Sequence, residues 1–174
     1  KMPKLSKGLL IAFVVTAAAG AGLHFLYDLL PNPVTALFSP VNESLWEHVK
    51  IIFWPYLAAF LVLTRGGEPG TRTPWMLTAP LLCAVMLALG WIYYITLGGE
   101  AMWVDIVIYV AVMAAGFLLP GVLHPTGERA LWGDLGLVLV LVLAGLVVLF
   151  TFLPPDHLLF QDLSGARTWA TIPC

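Results

Sequence analysis

The sequence predicts an all-α, polytopic membrane protein with five transmembrane helices, its N-terminus inside and a short C-terminal tail outside. Three observations carry this. Of 174 residues, 60% are hydrophobic and 10% charged, where a soluble domain carries roughly 25% charged residues. Mean hydropathy is +0.94. The apolar residues gather in segments near the ~20 residues that a helix needs to cross a ~30 Å hydrocarbon core. Period-2 alternation is missing, and an open sheet cannot sit in lipid. The composition excludes a disordered chain, a disulfide scaffold and an ordinary cytosolic enzyme domain. It also excludes a nucleic-acid partner, since Lys plus Arg total 8 against 10 acids. Cys83 and Cys174 form neither a metal-type spacing nor a disulfide framework.

The chain reads as one domain, residues 1–174, with spans at about 8–30, 45–64, 74–97, 102–123 and 131–153 and an outer tail at 154–174. The first run follows Lys1, Lys4 and Lys7 and is too long for a signal peptide. Its Ala17, Ala18, Ala21 and Gly22 are small enough to let a neighbouring helix approach. The second contains Pro55, which removes a backbone hydrogen bond and predicts a kink. Thr73 caps the third, with Pro74 at its first position. The fifth is closed by Pro154 and Pro155.

Cations set the orientation. Lys1, Lys4, Lys7, Arg65, Arg72 and Arg129 fall on one side, and Lys50 and Arg167 on the other. The six-cation side is the cytoplasm, and the expected location is a prokaryotic inner membrane. Membrane lipids are the expected partners, and a homo-oligomer remains open.

Depth marks the candidate site. Residues 51–64 would extend roughly 21 Å as a helix, short of the ~30 Å core, so the second span must carry Lys50, His48 and Glu47 into its outer end. His24 lies about 25 Å along the first helix from Lys7, with Asp28 one turn higher. Asp105 begins the fourth span near the same level. Ionisable groups are costly in lipid and should face one another or a wet cavity. His24 and Asp28 share a helix face by their i,i+4 spacing, as do Glu43 and Glu47. Tyr27 and Asn42 flank the group, and Tyr94 and His157 lie near it in the outer parts of the chain.

Two histidines with several carboxylates can shift one another's pKa values and move protons. They can also hold a divalent metal such as Zn. Glu47 and His24 are the expected acid–base groups, and Asp28, Glu43 and His48 the expected ligands. Tyr27, Asn42, Lys50, Tyr94, Asp105 and His157 are the expected substrate contacts. A substrate arriving sideways from the bilayer would be a lipid or lipid-linked headgroup. The same groups could instead gate an ion, proton or solute path, or form a buried structural network. Ser44 and Glu47 also fit a capping box, which would give Glu47 a purely local role.

The runs His24-Phe25-Leu26-Tyr27-Asp28 and Asn42-Glu43-Ser44-Leu45-Trp46-Glu47-His48-Val49-Lys50, with the tail Pro154-Pro155-Asp156-His157-Leu158-Leu159-Phe160, resemble an uncharacterised family of small prokaryotic integral membrane proteins. The resemblance implies a five-helix membrane fold with an N-E-S-x-W-E-H-x-K signature after the first helix. It implies no activity.

Overall fold

The computed structural model describes residues 6–67, 70–123 and 129–164. Helix α1 is Lys7–His24, α2 Leu26–Leu29, α3 Pro33–Phe38 and α4 Val49–Leu63. Helix α5, Thr73–Gly90, continues as a π-helix over Trp91–Thr96; α6 is Met102–Leu118 and α7 Arg129–Phe152. A 3-10 turn at Leu158–Phe160 follows. Among the described residues there is no strand.

Among the described residues, four helices are long and apolar enough to cross a membrane: Lys7–His24, Thr73–Thr96, Met102–Gly121 and Leu131–Phe152. The expected second span is shorter than its predicted 45–64. Helix α4 has 15 residues, about 22 Å at 1.5 Å per residue, because 44–48 form turns before it begins. The first span also ends early, at His24. Phe25 tightens the backbone there by donating its N–H to the Gly22 carbonyl (3.3 Å), and a separate one-turn helix follows.

Helix α4 is the central element. Val49, Lys50, Ile51, Ile52, Phe53, Pro55, Tyr56 and Phe60 are all buried. Helix α5 packs against α4, α6 and α7, and α1 packs against α4 and α6. These outer helices turn apolar side chains outward, with Ile11 63%, Val14 55% and Leu141 61% exposed. That distribution suits a lipid surround, where apolar exposure carries no penalty.

Close approach occurs at Gly20 and beside Ala17, not at Ala18, Ala21 and Gly22. A Cβ on Gly20 would collide with the Tyr109 hydroxyl and the Ile51 carbonyl, and Tyr109 donates to the Ala17 carbonyl at 2.8 Å. Ala18, Ala21 and Gly22 are exposed. Pro55 accounts for the Ile51 carbonyl: proline has no N–H to bond the carbonyl four residues earlier, and that oxygen faces Gly20. At the far end of the bundle the Tyr56 hydroxyl donates to the Gly116 carbonyl at 2.8 Å and ties α4 to α6.

The order of elements brings one end of the bundle together. The C-terminal ends of α1, α5 and α7 meet the N-terminal ends of α4 and α6. His24, Lys50 and Asp105 sit at the ends of α1, α4 and α6, and Tyr94 on the π-helix that extends α5. The cations behind the predicted orientation include Lys1, Lys4 and Arg167, which lie outside the described residues, as does Cys174.

Candidate metal centre and its supporting loop

His24, Glu43 and His48 each offer a ligand atom, and these atoms lie within 4.8 Å of one another. His24 ends α1. Glu43 and His48 come from the loop and turns that lead into α4. The Glu43 Oε2 atom is 3.3 Å from His48 Nε2 and 3.9 Å from His24 Nε2. The two imidazoles stand edge to face, with centroids 5.2 Å apart at 83°. His24 is also stacked on Phe25 at 5.1 Å.

His48 is held in one tautomer. Its Nδ1 lies 2.8 Å from the Ser44 carbonyl. A carbonyl only accepts, so Nδ1 carries a proton, and Nε2 faces Glu43: it donates to that carboxylate as the imidazolium and offers a lone pair to a metal once that proton is lost. Such an outer hydrogen bond is how metal-binding histidines are oriented. Ser44 reads as a capping residue in the sequence; its i,i+4 spacing to His48 is the signal for this second role.

The charges of Glu43 and His48 are mutually dependent. Both precede α4. The hydrogen bond from His48 holds the Glu43 carboxyl below its ordinary value, overcoming the burial that pushes the other way. Burial alone would lower His48, but the bonds to Glu43 and Ser44 and the nearby Glu43 and Asp105 charges outweigh it and raise the imidazole above its ordinary value.

Glu47 is not part of this cluster. Its carboxylate is buried against Lys50, whose Nζ is fully buried and donates to it. Lys50 also donates to the carbonyls of Ala36 (2.8 Å) and Ser39 (3.4 Å), so all three ammonium protons have partners. Glu47 Oε2 accepts a further bond from the Val41 amide at 2.9 Å. The pair thus staples 36–41 to the start of α4. Lys50 is fully enclosed, and the Glu47 side chain closes no capping box, although the Ser44 hydroxyl does accept from the Glu47 amide (3.3 Å). The carboxylate expected to serve acid–base chemistry is thus engaged by Lys50 and the Val41 amide.

The remaining residues divide. Asp28 is exposed on α2, past the helix break at Phe25, and its carboxylate is not in the group formed by His24, Glu43 and His48. Asn42 accepts from the Ser44 amide at 3.0 Å and shapes the turn. Tyr27 donates its amide to Ser39 Oγ (3.0 Å) and lines an open cavity of about 270 Å³ with Pro33, Val41 and Phe152. Tyr94 donates to Asp105 at 2.5 Å, joining the π-helix to the start of α6. His157 stacks on Trp91 at 5.9 Å and 21°, and its Nδ1 accepts from the Leu159 amide at 3.2 Å, so its ring serves the tail.

Three ligand atoms at these separations fit a tetrahedral zinc site. Bonds of ~2.0–2.1 Å place tetrahedral ligands about 3.3 Å apart. Glu43 and His48 already stand so, and His24 Nε2 lies 3.9 Å from the same carboxylate oxygen. A set of two imidazoles and one carboxylate leaves the fourth position open, as in catalytic zinc sites.

The fold and the cluster together define a helical protein with membrane-compatible apolar helices and a His/carboxylate group at one end. The chain belongs to the family of unknown function DUF6512, whose match covers residues 1–168. Neither a curated protein nor a solved structure matches it.

Proposed function

We propose that this chain is a multi-pass membrane protein whose His24, Glu43 and His48 hold one divalent cation of the zinc class. The ion would serve hydrolysis of a lipid or lipid-linked substrate at the outer membrane boundary. The observation that carries the reading is the convergence of three ligand atoms from two separate elements, with His48 Nδ1 tied to the Ser44 carbonyl so that Nε2 is the atom left to bind. A zinc ion with three protein ligands supplies an activated water at neutral pH. Tyr94 and Asp105 stand beside the cluster as polar contacts for the substrate.

In this reading the chain crosses an inner membrane of a prokaryotic cell five times, N-terminus inside. Helix α4 makes the short crossing. The turns before it lie outside the crossing, and the neutral Glu47–Lys50 pair lets them sit at the boundary. A lateral route from lipid suits the exposed apolar Leu29, Leu30 and Val34 beside the Tyr27 cavity.

The test is metal analysis of protein purified without a histidine tag. Wild type should carry about one zinc per chain, and His24→Ala, Glu43→Gln and His48→Ala should each lose most of it while remaining folded. Equal metal content in all four proteins overturns the reading.

A further inference from the structure

The chain beyond α7 returns to the loop that bears Glu43. The Leu159 carbonyl accepts the Trp46 amide at 2.9 Å, and the Leu163 amide donates to the Glu43 carbonyl at 3.4 Å. Phe160 lies between Trp46 (5.3 Å) and Phe150 (5.2 Å), and Trp46 and Phe150 are 5.4 Å apart, so three rings close on one another. His157 anchors the start of this segment on Trp91. Near its end, the Asp162 carboxylate accepts from the Ser164 amide at 2.8 Å.

The other two ligands have local support. His24 hangs from a helix of 18 residues. His48 is held by the Ser44 carbonyl and the start of α4. Glu43 has neither. Residues 41–43 are irregular, and its side chain is 47% exposed. Its neighbours Val41 and Ser44 are tied to Glu47 and Asn42, but the bond to the Glu43 backbone itself comes from 158–163. We propose that this tail segment is the positioning element of the candidate site: through Leu163 and the Trp46–Phe160–Phe150 packing it fixes the loop that aims Glu43 at His24 and His48. The proposal rests on the metal reading for what Glu43 binds, and on the hydrogen bonds and ring contacts for what holds Glu43.

An outer contact that orients a metal ligand typically changes affinity by about 10–100-fold. The experiment uses the full chain in lipid nanodiscs, with Leu163→Pro, which removes the amide donor, and Phe160→Ala, which removes the central ring. Phe160→Leu is the conservative variant. Zinc affinity is read by chelator competition, and hydrogen exchange is read across residues 43–48 and across α5 and α6 in the metal-free protein.

Leu163→Pro and Phe160→Ala should each weaken zinc binding at least about 10-fold. Exchange should quicken over 43–48 but not in α5 and α6. Phe160→Leu should restore most of both properties. Unchanged affinity and unchanged exchange at 43–48 overturn the proposal. So does faster exchange spread over the whole bundle, which would make Phe160 a general packing residue. Should wild type take up no zinc, the metal reading fails by itself. Local exchange then decides this proposal: faster exchange confined to 43–48 upholds it, and unchanged exchange overturns it.

Discussion

Glu47 and Lys50 neutralise one another inside the protein, 3% and 0% exposed, and between them bind the backbone of Ala36, Ser39 and Val41. An ion pair so enclosed is costly to break from one side, because the surviving charge loses its partner but stays buried.

Lys50→Met should therefore destabilise the protein by about 3–5 kcal/mol. Glu47→Gln should also destabilise it, and the double variant should lose less than the sum of the two. Reversible unfolding in mixed micelles measures all three. Zinc content per folded chain should stay at the wild-type level in Glu47→Gln, which separates this pair from the His24–Glu43–His48 cluster.

The second prediction concerns pH. The folded His48 value is raised above the ordinary 6.5, so its contribution to metal-free stability is complete below 6.5 and disappears as pH rises through the raised value. The folded Glu43 value is lowered below 4.5, so its contribution is present above 4.5 and disappears as pH falls through the lowered value. Zinc binds the neutral imidazole, so affinity should begin to fall at a pH above 6.5 as the solution is acidified. Zinc competition titrations from pH 5 to 9, with imidazole NMR of the metal-free protein, check both arms. An affinity flat across that range sinks the prediction.

Tyr94→Phe tests the neighbouring pair. It removes the hydrogen bond to the Asp105 carboxylate, and bonds to charged groups contribute about 1.5–3 kcal/mol. Stability should fall within that range or below it, since both groups are partly exposed. Zinc content should not change, because Asp105 is not a ligand in the proposed set. Loss of zinc in Tyr94→Phe would place Asp105 among the ligands.

Gly20→Ala is expected to destabilise by about 1–3 kcal/mol, as overpacking does. The added methyl would meet the Tyr109 hydroxyl and the Ile51 carbonyl. Gly22→Ala, with nothing within 4 Å of its added carbon, is the control. It should fall within about 0.5 kcal/mol of wild type, as surface substitutions do. Paired unfolding curves separate them.

The membrane class was legible because composition and segment length are sufficient to identify apolar helices. The cluster was half legible. His24 and the 43–48 run carry charges that lipid would not accept, so their convergence followed from depth. Their division into two groups did not follow. Nothing in the spacing shows that Lys50 points back to the Ala36 and Ser39 carbonyls and takes Glu47 with it. The break at Phe25, which separates Asp28 from His24, has no proline or glycine to announce it. The tail contacts are farther still from view: Leu163 and Glu43 are distant in sequence, and their bond joins two backbones.

The π-helix at Trp91–Thr96 has a consequence for how Tyr94 is aimed. Its wider turn is visible where the Leu97 amide reaches Ile92 at 2.9 Å, five residues back. An α-helix advances about 100° per residue, so a turn holding one surplus residue acts as a phase shifter between the parts of the helix on either side. Thr73–Gly90 can keep its core-facing stripe against α4 and α7 while Tyr94 is dialled round to Asp105. Removing one residue, such as Ile92, would rewind this stretch to ordinary pitch and swing the phenol through about a quarter turn, away from its carboxylate.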